Sequence, residues 1–351
     1  MPKVRDYIIR ATELTALSVW RLIQEKGFSP QDLLTEEESK AREKLIDQAG
    51  VDAMYAALTD IPFVLEVVGS EGRKHIHQYG EALPTLEGTF GSPAGGSDLK
   101  LDMVNDVVEG SKAAKLNSPG AVSVIAVGSH KGLMPTPPDI DYMDKLFGPP
   151  ELLGKISIDK RVEENLAEVV DIFRVKPAEI NVVMMDRDRN SHLINACQKF
   201  GVNLIKIPAG DFLPSILSCM DPKKDSGQVP MESRTLDRVG ARMTKGIHLV
   251  MGIGGFEEGV LAAVAAKALG AVGEGRGWSP DTEIAQKYKK AWKIDELVSG
   301  KKEDCSVSIS AITGDNKWFD LSGVVEKDGG HEVTTLTVSK RGAKIEKRLH
   351  R

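Results

Sequence analysis

Between residues 180 and 269 the chain alternates short apolar runs with amphipathic ones. Residues 180–185, 202–207 and 247–252 read as strands, and 191–200, 211–220 and 257–269 as helices. This alternation constrains the fold more than any other feature. A helix that carries the chain back to the same sheet edge makes neighbouring strands parallel and covers the sheet's faces. The pattern predicts an α/β architecture with a largely parallel sheet in this half. Ligands of such sheets sit beyond the C-terminal strand ends. There the sequence places Asp186-Arg187-Asp188-Arg189, Ala209-Gly210-Asp211 and Gly252-Ile253-Gly254-Gly255-Phe256-Glu257-Glu258-Gly259. The insert 221–245 is polar and reads as a surface loop. The runs 305–312 and 331–338 are β-rich and lead into a basic end.

The first half has a different rhythm. Residues 4–26 carry Ile8, Ile9, Leu14, Leu17 and Trp20 at helical spacing, which predicts an amphipathic helix. Thr35 with Glu38 three residues on is a capping box that opens a second helix to about Leu58. Phe63–Val68 reads as a strand, followed by a loop whose His75 and His77 have no third ligand nearby and are read as solvated. Leu99–Val108 and Ala121–Val127 are further strands, and 159–173 is a helix. A boundary near Val175-Lys176-Pro177 divides the chain into expected subdomains 1–175 and 176–351.

The densest chemistry lies in Asp102-Met103-Val104-Asn105-Asp106-Val107-Val108-Glu109-Gly110-Ser111. In a strand of period two, Asp102 and Asp106 fall on one face. Two acids so placed repel unless a cation lies between them. Gly110-Ser111 then opens a segment able to start a helix, whose free N–H groups attract an anion. Carboxylates for a hard metal beside donors for an anion suit phosphate-ester chemistry. Taken alone, the stretch also reads as a strand end with solvated acids and a helix cap at Ser111.

Composition narrows the classes. The chain has 351 residues, 41% hydrophobic and 28% charged, with a net charge of −5. Nucleic-acid binding rests on clustered Lys and Arg, so none is expected. Three widely spaced cysteines, Cys197, Cys219 and Cys305, form no metal pattern, and a reducing cytoplasm is expected. No apolar run approaches the ~18 residues of a membrane span. The N-terminal residues lead into an amphipathic helix and do not read as a signal peptide.

The order Asp-x-x-x-Asp-x-x-Glu-Gly-Ser at Asp102–Ser111, Tyr-Met-x-Lys-Leu at Tyr142–Leu146, and Gly-Ile-Gly-Gly-x-x-Glu-Gly at Gly252–Gly259 resembles the class II fructose-1,6-bisphosphatases of the lithium-sensitive metal-dependent phosphatase superfamily. The likeness extends to Asp47–Met54, Met185–Arg189 and Ile207–Asp211. It implies a layered αβαβα sugar-phosphatase fold with two subdomains, the second completing the active site. It implies hydrolysis of the 1-phosphate of fructose 1,6-bisphosphate, with sedoheptulose 1,7-bisphosphate as a further substrate, by attack of a metal-activated water. Mg²⁺ or Mn²⁺ would be held by Asp47, Glu71, Asp106, Glu109 and Glu258. Ser111 would orient the attacking water, with Asp106 and Glu109 beside it. Gly110, Tyr142, Arg187, Arg189, Asp211 and Gly255 would bind the sugar phosphate, and a homo-oligomer (dimer or tetramer) is implied.

The chain departs from the family pattern near these residues. The family's Gly-Glu-Gly-Glu is Gly69-Ser70-Glu71-Gly72 here, which shifts the ligand by one residue. Lys-Asn-Thr-Ala-Asp is Glu43-Lys44-Leu45-Ile46-Asp47, the proline after the central Asp is Val107, Asp-Gly-Asp is Ala209-Gly210-Asp211, and Pro-Arg-His is Asp188-Arg189-Asn190. The alternatives are therefore a binding or regulatory relative with impaired catalysis, or a phosphatase for another phosphorylated small molecule.

Overall fold

The helix signals at the start of the chain are realised almost residue for residue. The computed structural model describes residues 2–70, 84–92, 98–220, 246–314 and 318–351. The expectations for Glu71, His75, His77 and the insert 221–245 lie outside the described residues. Helix α1 spans Pro2–Glu25 and α2 spans Glu36–Thr59. The capping box is present: Thr35 Oγ1 accepts from the Glu38 N–H at 3.2 Å, and Glu38 Oε2 accepts from the Thr35 N–H at 2.8 Å. Two amides at the helix start are thereby satisfied reciprocally.

Strands β1 (Val64–Ser70), β2 (Thr89–Phe90), β3 (Lys100–Glu109) and β4 (Val122–Ser129) follow, with the short helix α3 (Ser111–Lys115) between the last two. The next stretch comprises β5 (Tyr142–Gly148), α4 (Val162–Phe173), β6 (Asn181–Met185), α5 (Ser191–Phe200), β7 (Asn203–Ile207) and α6 (Phe212–Ser218). It continues with β8 (Leu249–Gly255), α7 (Phe256–Leu269), β9 (Val272–Trp278) and β10 (Trp292–Lys293). The chain ends in β11 (Ser306–Ala311), β12 (Val325–Lys327), β13 (Gly330–Ser339) and β14 (Gly342–His350).

These elements make two sheets. One has the order β12-β13-β11-β4-β3-β1-β2, with β14 on β13; the other has the order β10-β9-β5-β8-β6-β7. The chain divides accordingly into a first unit, Met1–Lys131 with Ser306–Ser339 and Ala343–Arg351, and a second unit, Gly132–Cys305 with Lys340–Gly342. This division differs from the single boundary expected near Val175. By its pairings β5 belongs to the second sheet, and β11 returns to pair antiparallel with β4 of the first.

The largely parallel sheet expected for the second half is corrected to a mixed one. β6 is parallel to both β7 and β8, but β5 runs antiparallel to β8 and β9 and lies between them. The β8–α7–β9 crossover therefore straddles a strand that arrives from earlier in the chain. β5 and β9 are glycine- or charge-punctuated, so their alternation is too broken to read as strands.

Each sheet buries a helical layer. In the first unit Ile8, Leu17 and Ile23 of α1 and Met54 and Leu58 of α2 share a core with Leu65, Leu101, Met103, Ile125 and Val127 of the strands. In the second, Leu166, Val169 and Phe173 of α4 and Ile194 and Cys197 of α5 pack with Val182, Met184, Leu249 and Met251. Among the described residues no helix is long and apolar enough to cross a membrane. Ile125 sits on β4 with no exposed surface. Ile125→Ala is expected to destabilise the protein by about 2–5 kcal/mol, read as a lower urea midpoint at unchanged slope.

Candidate active site

The acidic stretch of the first unit is strand β3, and a bulge in it decides where the acids point. Asp102 pairs with Gly128 and Asp106 with Val124, but Glu109 pairs with Val122. Three residues of β3 thus span two of β4, so β3 carries one extra residue. The bulge turns both Val107 and Val108 into the helical core, where a Cβ on Gly50 of α2 would meet Val107 Cβ at 3.2 Å and Val108 Cγ2 at 3.4 Å. It also returns Glu109 to the face that holds Asp102 and Asp106. Asp102 and Asp106 are buried and Glu109 is half-buried. The Asp106 carboxylate accepts from the Val108 N–H at 3.0 Å, which fixes its orientation inside the bulge. Asp47 lies one turn before Gly50 on α2 and is buried with only 9% of its surface exposed.

Asp47, Asp106 and Glu109 do not close to ligand spacing as a group. Among the described residues, the His, Cys, Asp and Glu side chains that come within 4.8 Å of one another in threes are Glu66, Asp102 and His130. Like charges separate unless a cation draws them together.

Gly110 adopts φ +86° and acts as the cap of α3, a left-handed conformation that glycine reaches at no steric cost. Ser111 is therefore the first helical residue and not the cap, and with five residues α3 is too short for its dipole to make an anion site. The Ser111 hydroxyl has a different partner. It donates to Glu43 Oε1 at 3.2 Å, while Lys115 Nζ donates to Glu43 Oε2 at 2.6 Å. Side-chain exposures of 11% for Lys115 and 13% for Glu43 make this a largely buried pair. Neither residue was expected at the site: the lysine that the family pattern has at position 43 is replaced by an acid, and the matching cation sits 72 residues later.

In the second unit the loops beyond β6, β7 and β8 converge as expected of α/β sheets. Tyr142 opens β5 opposite Gly255, and its ring packs edge-on to Trp278 at 5.9 Å. The Arg189 guanidinium lies over the Tyr142 ring at 4.5 Å and its Nε donates to the Ile253 carbonyl at 3.1 Å. Asn190 accepts from the Ile253 N–H at 2.8 Å and donates to the Met185 carbonyl at 3.0 Å, tying the β6 loop to β8. Lys145 of β5 reaches Asp211 at 2.8 Å and the Gly255 carbonyl at 3.4 Å. Its side chain is only 1% exposed.

The glycines are required here. A Cβ on Gly254 would come within 2.6 Å of Lys145 Nζ and closer still to the Asp211 carboxylate, and one on Gly255 would overlap the Glu258 carboxylate. Tyr142, Arg189, Asp211, Gly255 and Glu258 thus meet around one strand end. Arg187 is exposed at the start of the 3₁₀ turn that follows β6. Lys145 went unassigned in the sequence, although it stands in the Tyr-Met-x-Lys-Leu motif.

The cysteines offer no alternative nucleophile. Cys197, Cys219 and Cys305 are free and buried, and burial pushes each thiol up to about 12, far from the thiolate a nucleophile needs.

A family profile described as bacterial fructose-1,6-bisphosphatase, glpX-encoded, matches residues 35–227 and 239–349, spanning all of this geometry. The chain belongs to that bacterial fructose-1,6-bisphosphatase family. Relatives named D-fructose 1,6-bisphosphatase class 2/sedoheptulose 1,7-bisphosphatase run alongside it for most of its length. The protein from Synechococcus sp. (strain JA-2-3B'a(2-13)) is 28% identical over 339 residues, 87% of each chain. That from Thermosynechococcus vestitus is 29% identical over 326 residues, 86% of each, and that from Synechococcus elongatus is 26% identical over the same share.

Within this fructose-bisphosphatase family, position 43 gives a test of whether the departure is compensated. Glu43→Lys and Lys115→Glu each place like charges in a buried pair, and each is expected to cost about 3 kcal/mol. The double exchange Glu43→Lys with Lys115→Glu restores the pair and should recover at least half of that sum in a double-mutant cycle on urea unfolding. Gly254→Ala forces a methyl into the Lys145–Asp211 pair and should destabilise the second unit by about 1–3 kcal/mol, measured by thermal melting.

Proposed function

We propose that this chain is a cation-dependent phosphatase that removes the 1-phosphate of fructose 1,6-bisphosphate, with sedoheptulose 1,7-bisphosphate as a second substrate. One observation carries the reading: the β3 bulge sets Asp106 and Glu109 on one face directly before Ser111, in a chain that belongs to the bacterial fructose-1,6-bisphosphatase family. Mg²⁺ or Mn²⁺ is assigned to Asp47, Asp106 and Glu109 of the first unit, and the family likeness implies Glu71 and Glu258 as further acids. The donor set fits such a cation, because hard divalent ions take carboxylate oxygens, and Asp47 and Asp106 are carboxylates withdrawn from water. When bound, the cation neutralises charge on the transferring phosphoryl group and makes a water nucleophilic at neutral pH.

The chain's own residues supply the orientation. Because the Ser111 O–H is directed to Glu43, its oxygen lone pairs are left to accept from an incoming water, and Lys115 holds the Glu43 carboxylate in place. Gly110 keeps the backbone beside Ser111 free of a side chain. Arg189 is held over the Tyr142 ring with its Nε on the Ile253 carbonyl, so its outer nitrogens form a fork for a phosphate. Arg187 is assigned to the same anion. Asp211, fixed by Lys145, accepts from sugar hydroxyls, and Gly255 lets the backbone approach them. A cytoplasmic homo-oligomer, dimer or tetramer, completes the reading, supported by the family likeness; light scattering on the purified protein checks it. The impaired binding relative is disfavoured, since the departure at position 43 has its counter-charge in Lys115.

A phosphate-release assay with Mg²⁺ or Mn²⁺ tests the assignment. Asp106→Asn should lose at least tenfold in rate, about 1.4 kcal/mol of barrier. Ser111→Ala should lower kcat more than it raises KM, the signature of an interaction made mainly in the transition state, and Ser111→Thr should be tolerated. A wild type that releases no phosphate from any sugar bisphosphate with either cation refutes the reading.

A further inference from the structure

Among the described residues, the side chains that reach metal-ligand spacing in threes are not the acids assigned to catalysis. Glu66 of β1 and Asp102 of β3 are register partners on neighbouring parallel strands, so their side chains share a face. β4 lies on the other side of β3, and the residue that follows it, His130, turns back over the same pair. His130 Nδ1 stands 3.3 Å from Asp102 Oδ1 and 3.6 Å from Glu66 Oε2, and all three ligand atoms lie within 4.8 Å of one another. The Lys131 N–H donates to the same Asp102 oxygen at 2.9 Å, and Lys131 takes φ +57° to do so. Asp102 is 1% exposed, His130 is 30% exposed and Glu66 is 51% exposed at the side chain.

We propose that Glu66, Asp102 and His130 form a second divalent-cation site, separate from the catalytic acids and selective for zinc-like transition metals. A carboxylate offers only lone pairs, so an imidazole nitrogen facing two carboxylates is repelled unless a proton or a metal ion lies between them. With a proton on Nδ1 the ring hydrogen-bonds Asp102 at 3.3 Å, and the same spacing suits an ion. Four-coordinate zinc with N and O ligands at about 2.0–2.1 Å places those ligands about 3.3 Å apart. The two imidazole–carboxylate separations are already near this value, and the half-exposed Glu66 is free to swing and close the third.

Donor type separates this site from the catalytic one. An imidazole with two carboxylates prefers Zn²⁺ or Co²⁺ to Mg²⁺ by the general affinity order, whereas an all-carboxylate set suits Mg²⁺ or Mn²⁺. Distance separates them as well. Asp102 precedes Asp106 by four strand residues, roughly 13 Å at the usual rise. An ion there pins the ends of three adjacent strands and leaves a coordination position open to water.

The probe is Co²⁺, whose visible absorption reports an imidazole–carboxylate environment, titrated into protein held in excess Mg²⁺. The wild type should take up one Co²⁺ with visible bands and a higher melting temperature. His130→Ala and Glu66→Gln, both at accessible side chains, should each lower that affinity at least tenfold while retaining Mg²⁺-dependent phosphate release. Asp106→Asn should keep the Co²⁺ bands although its turnover is lost. Absence of Co²⁺ uptake in the wild type, or uptake that survives His130→Ala but disappears in Asp106→Asn, overturns the site. Because the readout is spectroscopic, its failure and a failure of the phosphatase reading are told apart.

Discussion

Strand β3 is buried from Leu101 to Val108, yet it carries Asp102, Asn105 and Asp106. Burying polar and charged groups in a sheet interior is costly unless each finds a partner, and much of the first unit is arranged around this demand. Ser70 donates to Asn105 at 3.1 Å, the Val108 amide turns to Asp106, and the Lys131 amide turns to Asp102. The two amide contacts each require an irregularity, a bulge in one case and a left-handed residue in the other. The unit therefore departs from regular structure where carboxylates must be held, as expected when function and local backbone preference conflict.

The second unit meets a related demand with a different device. Lys145 and Asp211 are a buried ion pair, which seldom stabilises a fold relative to an apolar pair but is costly to break by halves. Their value is positional. The pair occupies the space that a side chain on Gly254 would fill, the Glu258 carboxylate fills that beside Gly255, and Lys145 also reaches the Gly255 carbonyl. The strand end is thus kept bare on one side and braced by a charge on the other. The adjacent α7 is buried nearly all round, so Glu257 and Glu258 in its first turn are carried by a rigid element.

Several parts of this arrangement were legible in the sequence because they depend on neighbours in the chain. The Thr35–Glu38 box, the helix at 191–200 and the glycines before Glu258 are local signals with local causes. β5 and β9 were missed because their pairing is non-local: Tyr142 finds Gly255 and Trp278 only in the folded sheet. The β3 bulge is equally invisible, since a period-two reading of Asp106-Val107-Val108-Glu109 places the two acids on opposite faces. His130 carried no signal at all. It follows a strand by one residue and becomes notable only through the register of Glu66 with Asp102. The short α3 was anticipated, but its cap was assigned to Ser111, because the left-handed φ that makes Gly110 the cap is not written in a polar residue.

Position 43 shows how a motif-by-motif reading goes astray. Matched residue by residue, Glu43 is the loss of a lysine beside the Ser111 hydroxyl, and suggests decay of the site. In the fold the ammonium is still there, contributed by Lys115 from the far side of the Ser111 turn, and Glu43 links it to the hydroxyl. An unpaired charge at 11–13% exposure would be strongly unfavourable, so Glu43 and Lys115 are intelligible only together. The fold supplies a local arrangement of a cation, an acid and a hydroxyl that no one position of the sequence reveals. Relatives near 28% identity differ at most positions, so a charge missing from its motif position has to be sought across the fold before the site is counted as lost.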